Sequence, residues 1–145
     1  MTAKEYLTQL RTLTFYVNEK YNDVKEIRAK ITFLSAIDYS AVKVQTSTVG
    51  QDRNLELVAR LADIEKEFAE AAIKAAETKA LIIQQITSMP DHRYREVLCR
   101  RYVKFQPLEK IAAEMSYNYH WICHLHGEAL QAFDKEYGIS RKVRN

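Results

Sequence analysis

The sequence predicts an all-α fold, in which a long antiparallel, coiled-coil-like helical hairpin precedes three shorter helices. The chain of 145 residues contains only three glycines and two prolines, so long uninterrupted helices are favoured over a turn-rich β fold. Apolar residues recur at alternating spacings of three and four before Pro90, and the helical segments become shorter after it. We therefore divide the chain into a hairpin (1–89), a three-helix domain (90–138) and a basic tail (139–145).

The composition is that of a folded protein, with 47% hydrophobic and 28% charged residues. No stretch resembles a secretory signal, and no apolar run reaches the ~18 residues that cross a membrane. Two cysteines are too few for a disulfide framework and are expected to remain thiols. These features predict a cytoplasmic protein that does not associate with membranes.

Each arm of the predicted hairpin carries a heptad seam. The first arm runs from Ala3 to about Asp38, with Lys20 interrupting the apolar series Leu10, Leu13, Val17, Val24, Ile27, Ile31, Leu34. The second runs from about Asp52 to Met89, with Thr78 and Gln85 interrupting the series Leu57, Leu61, Ile64, Phe68, Ala71, Ala75, Ile82. The segment 39–52, which contains Gly50, suits a reversing loop. Two amphipathic helices in a globular bundle remain an alternative.

The C-terminal segment has the punctuation of three helices. Pro90 and Pro107 stand where the first two should open, Asn118 is a natural N-cap for the third, and Gly138 can end it. Small and apolar residues around the short turn at Ser116 have the spacing of two helices that cross near a right angle. This pattern predicts a trihelical helix-turn-helix domain, with a cost at Ser116 if the turn needs a positive φ.

A family resemblance lies in the segment "MPDHRYREVLCRRYVKFQPLEKIAAEMSYNYHWICHLHGEAL". It resembles region 4 of the sigma-70 factors through Arg101-Tyr102, Leu108-Glu109-Lys110-Ile111-Ala112 and Ala129-Leu130. The whole chain, including "VKVQTS" (42–47) and "HGEAL" (126–130), resembles a family of short proteins of unknown function from phages and prophages of Gram-positive bacteria. The resemblance implies a DNA-binding regulator of phage transcription that acts with or on RNA polymerase in a bacterial host.

The net charge of +3 comes entirely from residues 90–145, which carry ten Lys or Arg against seven acids. Duplex binding draws much of its affinity from phosphate neutralisation. The candidate phosphate contacts are Arg93, Arg95, Arg100, Arg101, Lys104, Lys110, Arg141, Lys142 and Arg144. An ordinary solvated surface is the alternative explanation for such scattered charges.

The last helix of the trihelical segment has no Lys or Arg between residues 115 and 130. With Ile122 facing the core, Leu125, His126 and Ala129 point inward at about 100° per residue. The candidate base-reading residues, near the start of the helix and on or beside its outward face, are Asn118, Tyr119, His120, Cys123 and His124. Their side chains can exchange hydrogen bonds with base edges. A protein-facing helix, with Trp121 packed sideways, is the alternative.

The sequence predicts neither an enzyme nor a cofactor. His120, Cys123 and His124 have a spacing that could present zinc ligands, but no second cluster completes a site, so no metal is expected. A glycine-rich phosphate loop, paired catalytic carboxylates and an activated nucleophile are all missing from the sequence. We expect double-stranded DNA as the partner and self-association through residues 3–89. A protein-binding adaptor or a phage assembly protein without DNA binding remains the alternative.

Overall fold

The computed structural model describes residues 1–40 and 48–142, and within these the side chains of 1–37 and 53–141. The elements are α1 (Ala3–Ser40), α2 (Thr48–Thr87), α3 (His92–Leu98), a π-helical turn (Cys99–Val103), α4 (Leu108–Met115), α5 (Tyr119–Tyr137) and α6 (Ile139–Lys142). No strand occurs in the described ranges, which confirms the prediction of an all-α chain. No helix in these ranges is long and apolar enough to cross a membrane.

Helix boundaries differ from the predicted ones at several places. Helix α2 already begins at Thr48, so Gly50, which was expected in the reversing loop, lies in the first turn of this helix. The "VKVQTS" segment (42–47) lies outside the described residues. Pro90 does not open α3, since the side chain of Asp91 caps this helix by accepting a hydrogen bond from the Arg93 N–H at 2.9 Å.

The chain divides into two compact units that differ from the predicted division at residue 90. One unit is Thr14–Lys74, and the other combines Met1–Leu13 with Ala75–Asn145. The long helices α1 and α2 therefore each contribute residues to both units.

In the unit Thr14–Lys74, ion pairs show that α1 and α2 run antiparallel. Lys20 Nζ lies 2.7 Å from Glu67 Oε2, and Arg28 Nη2 lies 2.6 Å from Glu65 Oε1. Residue numbers thus rise along α1 while they fall along α2. Lys20, which interrupts the heptad pattern, uses its seam position to reach across to the partner helix. Such exposed pairs contribute ~1 kcal/mol or less each.

The seam forms the buried surface of this unit. Val24, Ile27 and Ala71 are buried, and the other apolar seam positions between Val17 and Phe68 are half-buried. Only one stripe of each helix is covered, as two paired helices allow. Several large apolar side chains on the remaining surface are exposed, among them Phe15, Phe33, Leu55, Val58 and Ile73.

The second unit has a larger core. The first residues of α1, the last residues of α2 and all the helices that follow contribute to it. Its buried residues are Ala3, Leu7, Leu10, Ile82, Ile86, Met89, Val97, Leu98, Tyr102, Ile111, Ala112, Ile122, Leu125, Ala129, Phe133 and Ile139. Ile139 is buried and begins α6, so residues 139–142 of the predicted tail belong to this folded unit. The backbone and side chain of Ser140 also donate to Asp134 Oδ1, both at 2.9 Å.

Gln85, a polar interruption of the second seam, joins α2 to two tyrosines. Its Oε1 accepts a hydrogen bond from Tyr6 Oη at 2.8 Å, and its carbonyl oxygen accepts one from Tyr137 Oη at 2.5 Å. The rings of Tyr6 and Tyr137 both pack against Phe133. A polar side chain is therefore favourable here, because it satisfies the Tyr6 hydroxyl at the edge of an apolar core, while the backbone satisfies that of Tyr137.

Replacing Ile27 with Asp should lower the free energy of unfolding by roughly 2–4 kcal/mol, since the seam would then bury an unpaired charge. The control is Ala29→Asp, which places the same side chain at an exposed position of the same helix. Thermal and urea denaturation followed by circular dichroism measure both effects. Equal losses in the two variants would contradict the assignment of the seam.

Candidate nucleic-acid interface

A short left-handed turn joins α4 to α5. Ser116 has φ 61° and ψ 36°, so the turn does need a positive φ, which here is adopted by a non-glycine residue. The Tyr117 N–H donates to the Ala112 carbonyl at 3.0 Å and closes the end of α4. Asn118 Oδ1 then accepts the Trp121 N–H at 2.7 Å and caps the start of α5, as predicted.

Burial fixes which side of α5 is exposed. Ile122, Leu125 and Ala129 are fully buried, in agreement with the predicted inward face. On the other side His120 and His124 are exposed, and a Cβ built on Gly127 would meet no other atom within 4 Å. The outward surface of α5 is therefore open to a partner.

The five candidate base-reading residues fall into two groups. Tyr119 and His120 are exposed at the start of the helix and can form new contacts. Asn118 is exposed too, but its Oδ1 serves the cap, which leaves the amide NH₂ as the free donor. Cys123 is half-buried, and its hydrogen bond with Tyr119 is the main reason that the pKa of Tyr119 is raised.

His124 faces an acid on its own helix. Its Nε2 lies 2.9 Å from Glu128 Oε1, and its ring lies 5.5 Å from the Trp121 ring, centroid to centroid. Tyr94 Oη donates to the other oxygen of Glu128 at 3.3 Å. Glu128 therefore weakens the attraction of this end of the face for a phosphate, whereas within the described residues His120 forms no ion pair with an acid.

Two candidate phosphate-binding arginines, Arg95 and Arg100, bind other groups of the protein. Arg95 Nη1 donates to the Met89 carbonyl at 2.6 Å, next to the end of α2. Arg100 is bound by Glu96 at 3.1 Å and also by Glu114 on α4. A charge that is already neutralised by carboxylates gains less from a phosphate.

Arg93 and Arg101 are partly engaged. Arg93 pairs with Asp91 at 3.3 Å, and this hydrogen bond is the main cause of the lowered pKa of Asp91. Arg101 Nη1 donates to the Gln106 carbonyl at 3.0 Å, which leaves its other N–H groups free.

The remaining candidate cations are lysines and the C-terminal residues. Lys104 is exposed, and Lys110 lies 4.0 Å from Glu114. Arg141 is exposed on α6. The side chain of Lys142 and the whole of Arg144 lie outside the described residues. The accessible positive charge near α4 is thus carried by lysines more than by the arginines of α3.

The half-buried His126 of α5 pairs with the buried Tyr102 of the π-helical turn. Tyr102 Oη and His126 Nε2 are 2.8 Å apart, and their rings stack at 5.7 Å. Burial raises the pKa of Tyr102 to about 12, and burial together with the charges of Arg101 and Lys4 lowers the pKa of His126 to about 4. The inward position of His126 agrees with the prediction. Its partner was not predicted, because the π-helical turn that carries Tyr102 has no recognised signal in the sequence.

Comparison with known proteins identifies no relative of this chain. No protein-family profile matches the chain, and searches of curated proteins and of solved structures find no match either. In the described part of the chain, no group of three or more His, Cys, Asp or Glu side chains could hold a metal ion.

The neutral state of His126 should make stability depend on pH. Its pKa of about 4 in the folded protein lies below the ordinary value of 6.5, so the unfolded chain takes up a proton first as the pH falls. The contribution of His126 is complete above about pH 6.5 and is lost progressively toward pH 4. The partly exposed ring reduces the expected loss to about 1 kcal/mol.

Chemical denaturation at several pH values between 7 and 4 measures this contribution. Parent protein should lose more stability over the range than the His126→Gln variant, which lacks this imidazole. The exposed His120→Gln variant is the control and should follow the parent. A parent and a His126→Gln protein with superimposable pH profiles would refute the buried neutral histidine.

Proposed function

We propose that this chain is a DNA-binding transcriptional regulator of phage or prophage type that works in the bacterial cytoplasm with or on RNA polymerase. In this proposal, α4 and α5 form a helix-turn-helix like that of sigma-70 region 4, and the start of α5 enters the major groove. The observation that carries the proposal is the left-handed turn at Ser116 between two helices, followed by a capped α5 whose buried side is fixed. An exposed, rigid helix start is what groove reading requires.

The proposed division of labour separates base contacts from phosphate contacts. Tyr119 and His120 can reach base edges, because they are exposed in the first turn of α5. Lys104, Lys110 and the free N–H groups of Arg101 supply the phosphate contacts. Affinity then depends mainly on these cations and specificity on α5.

A second candidate function is a protein-binding adaptor, with a phage assembly protein as a variant of it. The specific observation in its favour is the aromatic surface at the start of α5, where Tyr117, Tyr119 and Trp121 are 38%, 50% and 37% exposed. No Lys or Arg lies between residues 115 and 130. Aromatic residues with few charges are typical of the centre of a protein interface.

We also propose that the hairpin mediates self-association through residues 3–89. Large apolar side chains remain exposed in the unit Thr14–Lys74, including Phe33 at 66% and Leu55 at 69%. A second copy would remove this surface from water, at about 25 cal/mol per Å² of apolar area. A dimer would also present two reading helices to DNA, as is common among helix-turn-helix proteins.

Salt titration of duplex binding should separate the two kinds of contact. Lys104→Gln should weaken binding to every duplex and reduce the slope of log K against log salt by about 0.9, because one phosphate contact is lost. His120→Ala should keep the slope but lower the preference for a selected site over a scrambled one by about 1–3 kcal/mol. The measurement is fluorescence anisotropy, on a site obtained by selection with the parent protein.

Lys66→Gln on α2 is the control for the loss of one positive charge, since Lys66 is exposed and belongs to the other compact unit. Each variant is first checked for a parental melting curve. If the parent binds no duplex at low salt, or if His120→Ala discriminates as well as the parent, α5 is not a base reader. Salt-insensitive binding of purified RNA polymerase would then support the adaptor.

The double variant Phe33→Ser, Leu55→Ser should shift the full chain from oligomer toward monomer in sedimentation equilibrium. Its helicity should be retained, because both side chains are exposed and outside the seam. Ala29→Ser, Ala59→Ser changes two exposed alanines and is the matched control. A monomeric parent at micromolar concentration would contradict self-association.

A further inference from the structure

A cavity of about 150 Å³ is formed within the unit that combines Met1–Leu13 with Ala75–Asn145. Its lining residues are Lys4, Thr8, Arg11, Arg101, Tyr102 and Phe105. The first three lie at i, i+4 and i+7 on α1, so they share one face of that helix. The other three come from the π-helical turn and the residues after it. A cavity that holds one water molecule needs a volume of only ~10–15 Å³, so this cavity has room for a larger group.

The lining of this cavity is cationic. Lys4, Arg11 and Arg101 bring three positive charges, and no carboxylate lines the cavity. Within the described residues none of the three forms an ion pair, in contrast to Arg93 and Arg100. The acid next to Lys4 in the chain, Glu5, accepts a hydrogen bond from the Thr2 N–H at 2.8 Å. Like charges gathered without a counter-charge repel one another, and a bound anion relieves this repulsion.

The backbone that carries Arg101 is held in an unusual conformation. After the π-helical turn, Phe105 has a φ of 57°, which is costly for a residue with a Cβ. The Gln106 N–H donates to the Arg100 carbonyl at 3.0 Å, and the Gln106 carbonyl accepts from Arg101 Nη1 at the same distance. These bonds fix the guanidinium at the cavity before any ligand arrives. Such π-helical turns and strained residues occur often at functional sites.

We propose that Lys4, Arg11 and Arg101 form a phosphate-binding pocket on the C-terminal unit. Guanidinium groups match the oxygens of a phosphate in geometry and charge, and the Lys4 ammonium adds a flexible donor. The hydroxyl of Thr8, which now donates to the Lys4 carbonyl at 2.6 Å, can rotate toward an anion. Three cations match the one to two negative charges of a phosphate diester or monoester.

Two sources could supply this phosphate: the backbone of DNA, or a small phosphorylated molecule. The DNA backbone is favoured, because the pocket lies near α5. Tyr102, which lines the pocket, contacts His126 of α5, with 2.8 Å between Oη and Nε2. The DNA source rests on the proposed function, whereas the phosphate chemistry of the pocket does not.

Titration of the full chain with inorganic phosphate tests the pocket, with the backbone amide NMR signals of Tyr102 and Phe105 as the readout. Parent protein should show saturable shifts at these amides, with chloride at equal ionic strength as the reference. The Lys4→Gln, Arg11→Gln variant should bind phosphate at least about tenfold more weakly, since two charged donors are lost. Both side chains are exposed, so the fold should persist and the amide spectrum checks it.

The control variant Lys66→Gln, Lys74→Gln removes the same net charge from exposed positions outside the cavity. It should bind phosphate like the parent. Shifts that do not saturate, that chloride reproduces, or that persist unchanged in the Lys4→Gln, Arg11→Gln variant would overturn the pocket.

A second titration with a short duplex identifies the source of the phosphate. If DNA supplies it, the Lys4→Gln, Arg11→Gln variant should lose about two phosphate contacts, and the salt slope should fall by roughly 1.8. An unchanged slope, with inorganic phosphate still bound by the parent, would assign the pocket to a small phosphorylated ligand. Failure of the parent to bind any duplex, with phosphate binding intact, would refute the proposed function and leave the pocket standing.

Discussion

The other features of the structure depend on one apolar core. The start of α1, the end of α2 and the C-terminal helices share this core. Leu7 and Leu10 of α1, Ile82 and Ile86 of α2 and Phe133 of α5 are all essentially inaccessible to solvent. Burying each such side chain contributes about 1.5–3 kcal/mol. Because α5 is buried along one side by this core, its opposite side is necessarily the side on which a partner can be met.

The same core changes what the positive charges can do. The arginines of α3 and the π-helical turn lie close to carboxylates and helix ends, so Arg95 and Arg100 are used to join neighbouring segments. At the same time, packing brings Lys4 and Arg11 from the beginning of the chain next to Arg101. The arrangement of charge along the sequence is therefore a poor guide to the electrostatic surface, since folding pairs some cations and gathers others.

The buried pair of Tyr102 and His126 connects the core with this surface. The imidazole of His126 stays neutral because desolvation and nearby positive charges disfavour its protonation. Arg101 and Lys4 supply those charges. The hydroxyl of Tyr102 satisfies one ring nitrogen at 2.8 Å and so avoids an unpaired buried polar atom. An anion beside Tyr102 would be felt by His126, because the low local dielectric weakens screening.

Periodicity and punctuation were sufficient to predict the helices. The two seams, the cap at Asn118 and the inward face of α5 depend on spacing and local backbone chemistry, which a sequence contains directly. The sequence also identified His120 as a candidate that points away from Ile122, because helical phase decides this, and Tyr119 as a candidate beside that face; both are exposed.

Other features depended on contacts between residues far apart in the chain, which local patterns do not encode. The π-helical turn at Cys99–Val103, the burial of Ile139 and the use of Gln85 to bind Tyr6 and Tyr137 arise only when the C-terminal helices pack on the hairpin. The cationic cavity belongs to this class. The sequence by itself determined where helices form and which of their faces are apolar, whereas the tertiary structure decided which charges remain free, because only packing brings distant side chains within hydrogen-bonding and Coulomb range.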